Sequence, residues 1–439
     1  MSGNRPSTST SNIPEQPHHG WTTCKIDDIC RNIVGGGTPS RSQKEFWDGQ
    51  IPWATVKDFT DDLLLLSSTI EKISQSGLEG SSARLVPEKT PVICTRMAVG
   101  RCALTTYPTS INQDLKAIFL KETIVPEFFI RLLRYHGQDL ERVSVGTTVR
   151  GISLKDLRSL TIKFPTKTLE QVQIATVLNM IDESIACAEA VIAKLKNVRA
   201  GMLHDLLTRG LDKNGQLRPP PSEAPKLYKD SPLGKIPKEW EIDTLVSRIT
   251  FPEGQVDPRN PPYSFWPLIA PDHIEPGTGC LISRKTALEL GAISGKYIFE
   301  PNDVIYSKIR PYLRKATLAT ERGLCSADMY PLRPISGVNS TFLLSVLLGE
   351  SFSRFASAVS MRSGFPKINR NEMREFVMGW PSSEEQEKIA SSVTLMDKQR
   401  EMHDNELSKL HALKTGLSSD LLTGKARVPG NINRKKSHV

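Results

Sequence analysis

The chain has 439 residues and a formal net charge of +9, from 57 Lys and Arg against 48 Asp and Glu. This length predicts two to four domains with full-sized cores, and the basic surplus indicates a polyanionic partner without defining a fold. Seven scattered cysteines without zinc-type spacing predict free thiols in a reducing cytosol, and no apolar run reaches the length of a membrane span.

The first predicted domain spans 21–165 and follows a polar stretch, 1–20, whose composition predicts a disordered tail and no signal peptide. Three glycines followed by Thr-Pro-Ser, at 35–40, predict a loop whose backbone can approach another molecule closely. A strand is predicted at 91–95 and a helix at 128–140. The domain therefore mixes strands and helices.

The stretch 170–208 recurs without a gap at 385–423, shifted by 215 positions. Within it, apolar residues step alternately by four and three, which is the a/d seam of a helix that packs on a partner helix. We predict helices at 166–208 and 382–424 that form an antiparallel pair, and the repeated stretch of each reaches roughly 55 Å at 1.5 Å per residue. The predicted seam residues are Ile174, Leu178, Ile181, Ile185, Ile192 and Leu195 in the first helix, and Ile389, Val393, Met396 and Leu410 in the second.

The second copy of the seam is poorer than the first, because Arg400 and His403 stand where the first copy has Ile185 and Ala188. Between the helices, 209–239 is dense in proline, which predicts an extended connector rather than a core. The second predicted domain follows the connector.

This second domain spans 240–381 and echoes the first domain weakly, and the chain closes with a basic tail at 425–439. Two domains that recognise different targets are expected to share one scaffold and to differ in the segments inserted into it. The alternative is drift after duplication, with one copy idle.

The sequence contains no Walker loop, no dinucleotide fingerprint and no metal-ligand spacing among its eight histidines. Residues 260–263 read Asn-Pro-Pro-Tyr, the tetrapeptide with which DNA adenine methyltransferases grip a flipped adenine. Such enzymes also need a glycine loop after a strand to hold the methyl donor, and the loop at 35–40 leads into Thr-Pro-Ser instead of a helix. We therefore predict a turn at 260–263.

Taken together, these motifs resemble the specificity subunits of type I restriction-modification systems, from residue 21 to about 423. The resemblance is carried by Gly-Gly-Thr-Pro-Ser at 36–40 with Ile-Pro-Trp at 51–53, by the Glu-Gln-x-x-Ile-Ala openings of both repeated helices, and by their Asp-Leu-Leu-Thr ends. It implies an α+β fold: two similar α/β target recognition domains separated by two long antiparallel coiled-coil helices, with a pseudo-twofold internal repeat. The second domain departs from the pattern where Phe-Pro-Glu-Gly, at 251–254, replaces the triple glycine.

The resemblance implies recognition of a bipartite DNA target, with an unread spacer, by a chain that has no catalytic residue and no metal site. Lys and Arg would set the register on phosphates, and a few side chains would read base edges. The candidates in the first domain are Gly36, Gly37, Thr38, Ser40, Lys57, Arg96, Arg101, Asn112 and Gln113. In the second domain they are Lys308, Arg310, Arg314, Lys315, Arg362 and Lys367. For each of them, a solvated surface position is the competing interpretation, and Asn112 could equally cap a turn.

By the same resemblance, the partners are double-stranded DNA, modification subunits, two of them, and restriction subunits with translocase activity, with no membrane involved. S-adenosylmethionine, ATP and Mg²⁺ would be bound by these partners and no cofactor by this chain. The expected location is the prokaryotic cytoplasm, on the nucleoid.

Two other functions remain open at this stage. A self-contained adenine methyltransferase would use residues 260–263 and would bind S-adenosylmethionine. A coiled-coil scaffold would bind only protein, and salt-dependent DNA binding with a sequence preference would exclude it.

Overall fold

The computed structural model describes residues 20–144, 151–360 and 366–429. The chain folds into two compact units: unit 1 combines Met1–Cys187 with Leu407–Val439, and unit 2 is Ala188–Glu406. The predicted tail at 1–20 lies outside the described residues except for Gly20, and the tail at 425–439 lies outside them from 430 onward.

Unit 1 alternates strands with short helices. Its helices before the first long one are α1 (Ile26–Ile29), α2 (Gln75–Glu79), α3 (Pro126–Tyr135), α4 (Gly137–Arg142) and α5 (Leu154–Ser159). Its strands are β1 (Trp21–Lys25), β2 (Cys30–Gly35), β3 (Trp47–Ala54), β4 (Leu65–Leu66), β5 (Glu71–Ile73), β6 (Arg84–Val86), β7 (Pro91–Cys94), β8 (Cys102–Thr105), β9 (Thr109–Ile111), β10 (Leu115–Leu120) and β11 (Thr161–Pro165). The strand predicted at 91–95 is β7, and the helix predicted at 128–140 is divided at His136 between α3 and α4.

The sheets of unit 1 have the orders β2-β10-β7-β8-β4, β5-β3-β9-β6 and β1-β11. Pairing is antiparallel except between β3 and β9 and between β4 and β8. Ile93 of β7 joins the hydrophobic core around α3, whereas its neighbours Val92 and Cys94 join a second core on the other side. Because successive side chains of a strand point to opposite faces, the five-stranded sheet is buried on both sides.

Unit 2 has helices α7 (Ser340–Leu348), α8 (Glu350–Ser360) and α9 (Arg370–Arg374) before the second long helix. Its strands are β12 (Tyr228–Ser231), β13 (Gly234–Pro237), β14 (Glu241–Thr244), β15 (Ile249–Thr250), β16 (Pro267–Ile269), β17 (Lys285–Thr286), β18 (Tyr297–Phe299), β19 (Val304–Ser307), β20 (Ala316–Leu318), β21 (Gly323–Cys325), β22 (Met329–Pro334) and β23 (Val377–Trp380).

The domain of unit 2 repeats the topology of the domain in unit 1. Its sheets have the orders β15-β22-β19-β20, β17-β16-β21-β18 and β14-β23, and its parallel pair, β16 with β21, matches β3 with β9 in unit 1. The domain in unit 1 differs by the additional edge strand β4. The prediction of one scaffold used twice is confirmed at the level of strand order and pairing.

The repeated stretches form long helices, α6 (Thr168–Thr208) and α10 (Ser383–Thr423), close to the predicted 166–208 and 382–424. Within unit 1, Asp182 of α6 pairs with Lys414 of α10 at 2.8 Å, while the earlier Ile174 and Leu178 share a core with the later Leu421. The described parts of the two helices therefore run antiparallel in unit 1. In unit 2, Arg199 pairs with Asp397 at 2.6 Å, and these positions are related to Lys414 and Asp182 by the 215-residue repeat.

The Glu-Gln opening of each long helix fixes the helix to the domain of its own unit. Gln171 is fully buried; its Oε1 accepts from Val125 N at 2.8 Å, and its Nε2 donates to the carbonyl oxygens of Pro165 at 2.9 Å and Thr123 at 3.1 Å. Gln386 accepts from the backbone N of Asn339 at 3.1 Å and donates to Pro381 O at 3.0 Å.

The glutamates of the two openings are equivalent in the same way. Glu170 accepts from Trp21 Nε1, and Glu385 accepts from Trp240 Nε1, each at 3.1 Å. The motif on which the family resemblance rests is therefore a buried joint between helix and domain.

Burial follows the predicted seam along most of α6. The buried seam residues are Ile174, Leu178, Ile181, Ile185 and Ile192, with Ile389 and Val393 on α10. Leu195, Met396 and Leu410 are only partly buried. The first turns of α6 also pack on the domain, since Ile174 and Leu178 share a core with Phe128 of α3.

The prediction that 209–239 is an extended connector is wrong. The segment contains a β-hairpin, β12 with β13, and buries Tyr228 and Ile236. Arg218 is 6% exposed, and its guanidinium binds Glu385 Oε1 at 2.5 Å and Glu239 Oε2 at 3.0 Å. Proline density favoured an extended chain and gave no sign of the side-chain contacts that fold the segment within unit 2.

Within the described ranges, no single helix is long and apolar enough to cross a membrane. The bent pair Ser340–Leu348 and Glu350–Ser360, with 56° between its helices, passes that test by length and composition alone.

Candidate nucleic-acid interface

Three chain segments distant in sequence converge at one side of the domain in unit 1: the turn 95–101 after β7, the turn 112–114 between β9 and β10, and residues 151–152. Thr95 N donates to Asp114 O at 2.9 Å, and Ile152 N donates to Thr95 O at 2.9 Å. Arg96 also forms a backbone bridge with Gly151. We call these segments the three-loop surface of unit 1.

The glycine loop at 35–40 lies beside this surface and is fixed to it. Gly37 N donates to Ile111 O at 3.1 Å, and Trp53 Nε1 donates to Gly37 O at 3.1 Å. A Cβ on Gly36 would lie 1.7 Å from Ile111 O, a distance that no side chain can occupy. The sequence suggested that the loop approaches another molecule; in the structure Gly36 and Gly37 are required by contacts within the chain.

The exposed candidates of the first domain are Thr38, Ser40, Lys57, Arg96 and Gln113. Thr38 Oγ1 donates to Gln113 Oε1 at 2.6 Å, which links the glycine loop to the three-loop surface through side chains that can also bond a ligand. Arg96 stays 62% exposed with Asp114 3.6 Å away, so its guanidinium can reach a phosphate or a base edge.

Two other candidates have their hydrogen bonds within the chain. Asn112 is 6% exposed; its Oδ1 accepts from Asp114 N at 3.1 Å, and its Nδ2 donates to Asp114 Oδ2 at 3.3 Å. This is the turn-capping alternative that the sequence left open. Arg101 forms a two-bond ion pair with Asp61, at 2.7 and 3.2 Å. These two side chains shape the surface in unit 1 rather than extend from it.

Sequence reasoning missed Arg41, which follows the glycine loop directly. Its guanidinium lies 3.6 Å from the centroid of the Trp47 ring and binds both carboxylate oxygens of Glu71, at 2.5 and 2.8 Å. These hydrogen bonds hold the pKa of Glu71 below its usual range. A guanidinium stacked on a partly exposed aromatic ring is suited to contact with nucleic acid. The Pro-Ser-Arg sequence and Trp47 were the available signals.

Unit 2 builds the same convergence from the turn 308–315, the turn 326–328 and residues 366–368. Lys308 N donates to Asp328 O at 3.0 Å, Ile368 N donates to Lys308 O at 2.9 Å, and Ile309 forms a backbone bridge with Lys367. We call these segments the three-loop surface of unit 2. Each bond has its counterpart in unit 1, so the architecture of the surface is part of the repeat.

The cations of unit 2 differ from those of unit 1. Lys308 Nζ donates to Ala327 O; burial lowers the pKa of Lys308, and the charge of nearby Lys367 lowers it further. Arg310 and Arg314 are exposed and adopt left-handed backbone conformations, each with φ of 48°. Lys315 Nζ donates to Pro271 O at 2.7 Å. The candidate Arg362 lies outside the described residues.

An aromatic cluster in unit 2 was also missed. The guanidinium of Arg370 lies 4.9 Å from the centroid of Phe251 and 5.5 Å from that of Tyr330, and these two rings meet edge-to-face. Phe251 opens the segment that replaces the triple glycine. Arg370 therefore stacks in unit 2 much as Arg41 does in unit 1.

Residues 260–263 form the predicted turn. Ser264 N donates to Asn260 O at 3.1 Å, and Tyr263 packs edge-to-face on Trp266, with 5.2 Å between ring centroids. Among residues 20–144, 151–360 and 366–429, no group of three or more His, Cys, Asp or Glu is arranged to hold a metal ion.

The family model of the type I restriction modification DNA specificity domain matches residues 18–197 and 274–412, well over half of the chain. The chain belongs to the type I restriction-modification specificity subunits. It is accordingly a non-catalytic, DNA-recognising component of such a system. The methyltransferase interpretation of residues 260–263 is thereby set aside.

Individual relatives agree with this assignment. The chain is 27% identical to the type I restriction enzyme EcoDI specificity subunit of Escherichia coli, over 92% of this chain and 87% of that one. It is 26% identical to the MjaIX specificity subunit of Methanocaldococcus jannaschii, over 70% of each. The crystal structure of the S subunit from M. genitalium matches the fold with a TM-score of 0.56 at 16% identity, over 93% of this chain and 98% of that one.

Proposed function

We propose that this specificity subunit recognises a bipartite DNA target, with one short half-site read by each three-loop surface. The proposal rests on one observation: in both units the same backbone hydrogen bonds bring three loops together, but the loops carry different side chains. The surface of unit 1 carries Arg96 and Gln113, with Thr38 of the adjacent glycine loop. The surface of unit 2 carries Lys308, Arg310 and Lys367. Equal scaffolds with unequal side chains suit the reading of two different sequences.

We assign some of the candidate side chains to phosphate contacts and others to base contacts. The exposed cations Lys57 and Lys367 suit phosphate contacts, which set register and make affinity depend on salt. Arg96, Arg310 and Arg314, together with the Thr38–Gln113 pair, suit base edges, because a guanidinium can bind guanine with two hydrogen bonds and an amide can bind adenine in the same way.

The long helices set the spacing of the half-sites in this proposal. We infer that α6 and α10 form one antiparallel pair with pseudo-twofold equivalence, and that the domains are held at its opposite ends. The inference is supported by the equivalent ion pairs, Asp182 with Lys414 and Asp397 with Arg199, one in each unit. The base pairs spanned by the helices would remain unread.

The outward faces of the helices are proposed to bind two modification subunits. Met180 and Leu395 are exposed apolar residues at repeat-equivalent positions, and so are Val198 and Leu413. Exposed apolar side chains that recur with the repeat suit two copies of one partner. Specificity subunits work with modification and restriction subunits. We expect these partners to bind S-adenosylmethionine, ATP and Mg²⁺, on the nucleoid of a prokaryotic cytoplasm.

The proposal is tested by equilibrium DNA binding of the subunit assembled with its modification subunits. Duplexes enriched from a random pool should share two short sequence blocks at a fixed separation, and affinity should fall steeply between 50 and 200 mM salt, by a factor on the order of 10³ or more if six or more phosphates are neutralised. Enrichment of one continuous block, or salt-insensitive binding, would contradict the proposal.

A further inference from the structure

Arg400 is the anomaly of the second long helix. It occupies the seam position that Ile185 fills in the first copy and is 5% exposed. Its Nε has no hydrogen-bond partner among the described residues. A buried ionic residue in an apolar seam is often matched or surpassed in stability by a well-packed hydrophobic side chain. Helix packing alone therefore gives no reason for an arginine at this position.

The two terminal nitrogens of Arg400 bind one loop of the recognition domain, residues 275–280, which we call the bracing loop. Nη2 donates to Cys280 Sγ at 2.7 Å, and Nη1 lies 3.3 Å from Glu275 Oε2. Nη1 also lies 3.5 Å from Asp404 Oδ2, one turn further along α10. The other carboxylate oxygen of Glu275 lies 3.7 Å from Lys196 Nζ on α6. Glu275 thus contacts both long helices within unit 2.

Hydrogen bonds close the bracing loop at its base. Glu275 N donates to Cys280 O at 2.9 Å, and Thr278 Oγ1 accepts from Cys280 N at 3.1 Å. Gly277 and Gly279 adopt φ of 73° and 85°, which other residues rarely tolerate. Because these two hydrogen bonds close the loop at its base, a contact on one side of the loop helps to place its other side.

The far side of the bracing loop holds the turn 308–315 of the three-loop surface. Gly277 N donates to Arg314 O at 3.0 Å, and Gly279 O accepts from Thr317 Oγ1 at 2.8 Å, directly after the turn. The loop therefore connects Arg400 on α10 with the backbone of Arg314, through hydrogen bonds at each side of the loop and the loop backbone between them.

Unit 1 holds its domain on the helices with the charges reversed. There the domain supplies the arginine, Arg131, and α6 supplies its partners, Asp182 at 2.6 Å and Asn179 at 2.5 Å. In unit 2, the position corresponding to Arg131 by the order of α7 is Ser345, and the helix supplies the arginine instead. The two domains are thus fixed to the helices by different residues, so the Arg400 contact belongs to the second domain alone.

We propose that Arg400 is a positioning residue for recognition of the second half-site. It holds the bracing loop, and through it the backbone of Arg314, at one place on the second long helix. This inference rests on the proposed reading of a half-site by the turn 308–315. Its consequence is selective: loss of Arg400 relaxes the second half-site and leaves the first unchanged.

The test compares Arg400→Met with Arg199→Met in the full subunit assembled with its modification subunits. Arg199 is the matched control, because it forms a part-buried ion pair in the same unit, with Asp397, between the two long helices. The readout is the dissociation constant for the selected duplex and for duplexes with single base-pair substitutions in either half-site. In wild type, each substitution should weaken binding by about 5- to 150-fold.

For Arg400→Met we expect the penalties in the second half-site to shrink by about tenfold or vanish, while those in the first stay within about twofold of wild type. Arg400→Lys, which keeps the charge but cannot reach both partners, should restore part of the discrimination. Arg199→Met should leave both sets of penalties unchanged. Glu275→Gln, at a partly exposed position, should repeat the Arg400→Met pattern in a chain that folds normally.

An equal loss of base discrimination at both half-sites, together with a melting temperature lowered as much as that of Arg199→Met, would overturn the proposal. Arg400 would then be a residue that only stabilises the fold. Unchanged penalties in Arg400→Met and Glu275→Gln would overturn it as well. If wild type itself shows no preference in the second half-site, the proposed function fails and this inference fails with it.

Discussion

The joint formed by Gln171 offers a quantitative test of how a long helix is fixed to its domain. Replacing Gln171 by Leu keeps the size of the side chain but removes three hydrogen bonds, to Val125 N, Thr123 O and Pro165 O. Each buried backbone group left without a partner costs about 1–3 kcal/mol, and the regained apolar burial offsets part of the total. We expect a loss of about 3 kcal/mol in the free energy of unfolding of unit 1.

Gln386→Leu, which breaks two such bonds in unit 2, should cost less, about 2 kcal/mol. Gln173→Leu, the same substitution two residues further along α6 at a partly exposed position, should stay within about 0.5 kcal/mol. The assay is urea denaturation followed by far-ultraviolet circular dichroism. A loss below about 1 kcal/mol for Gln171→Leu would refute the reasoning that these bonds hold the helix on its domain.

Three further predictions concern the seam, the reading residues and the spacing. Ile181→Asp places an unpaired charge at a buried seam position and should cost roughly 3–5 kcal/mol, so the subunit should fail to co-purify with its modification subunits; a soluble, fully assembled variant would exclude a buried seam. Arg310→Ala and Arg314→Ala should each weaken binding by about 1–3 kcal/mol and relax preference at one position of the second half-site. Uniform weakening with a flatter salt slope would identify phosphate contacts, and unchanged binding would identify ordinary surface. Inserting four residues between Lys196 and Gly201 lengthens α6 by about 6 Å, so methylation mapping should show both half-sites retained with a spacer longer by one or two base pairs at about 3.4 Å each. An unchanged spacer with activity retained would show that the length of the helices does not set the distance between the half-sites.

The sequence predicts well what is encoded by periodicity and repetition. Both long helices end where the Asp-Leu-Leu-Thr repeats end, and the duplication correctly predicts two domains with the same strand order. Burial of Ile174 to Ile192 follows from the heptad spacing alone.

Side-chain partners across long sequence distances could not be predicted in this way. The contact between Arg400 and Glu275 joins residues 125 positions apart, and the contact between Arg218 and Glu385 joins residues 167 apart. From the sequence, Arg400 was only a defect in the seam, and Arg218 was part of a proline-rich connector. Asn112 shows the same limit, because residue type allows both a base contact and a turn cap, and only its burial against Asp114 decides between them.

The central claim is that two surfaces with different side chains, both on one non-catalytic chain, define one bipartite DNA target. Methylation mapping of a host that carries this subunit with its modification subunits tests it most directly, with the Arg314→Ala variant mapped in parallel. The account predicts modified adenines at a motif of two short blocks separated by a fixed unread spacer, and a variant motif relaxed in one block only. A single continuous motif, or a variant altered equally in both blocks, would contradict it.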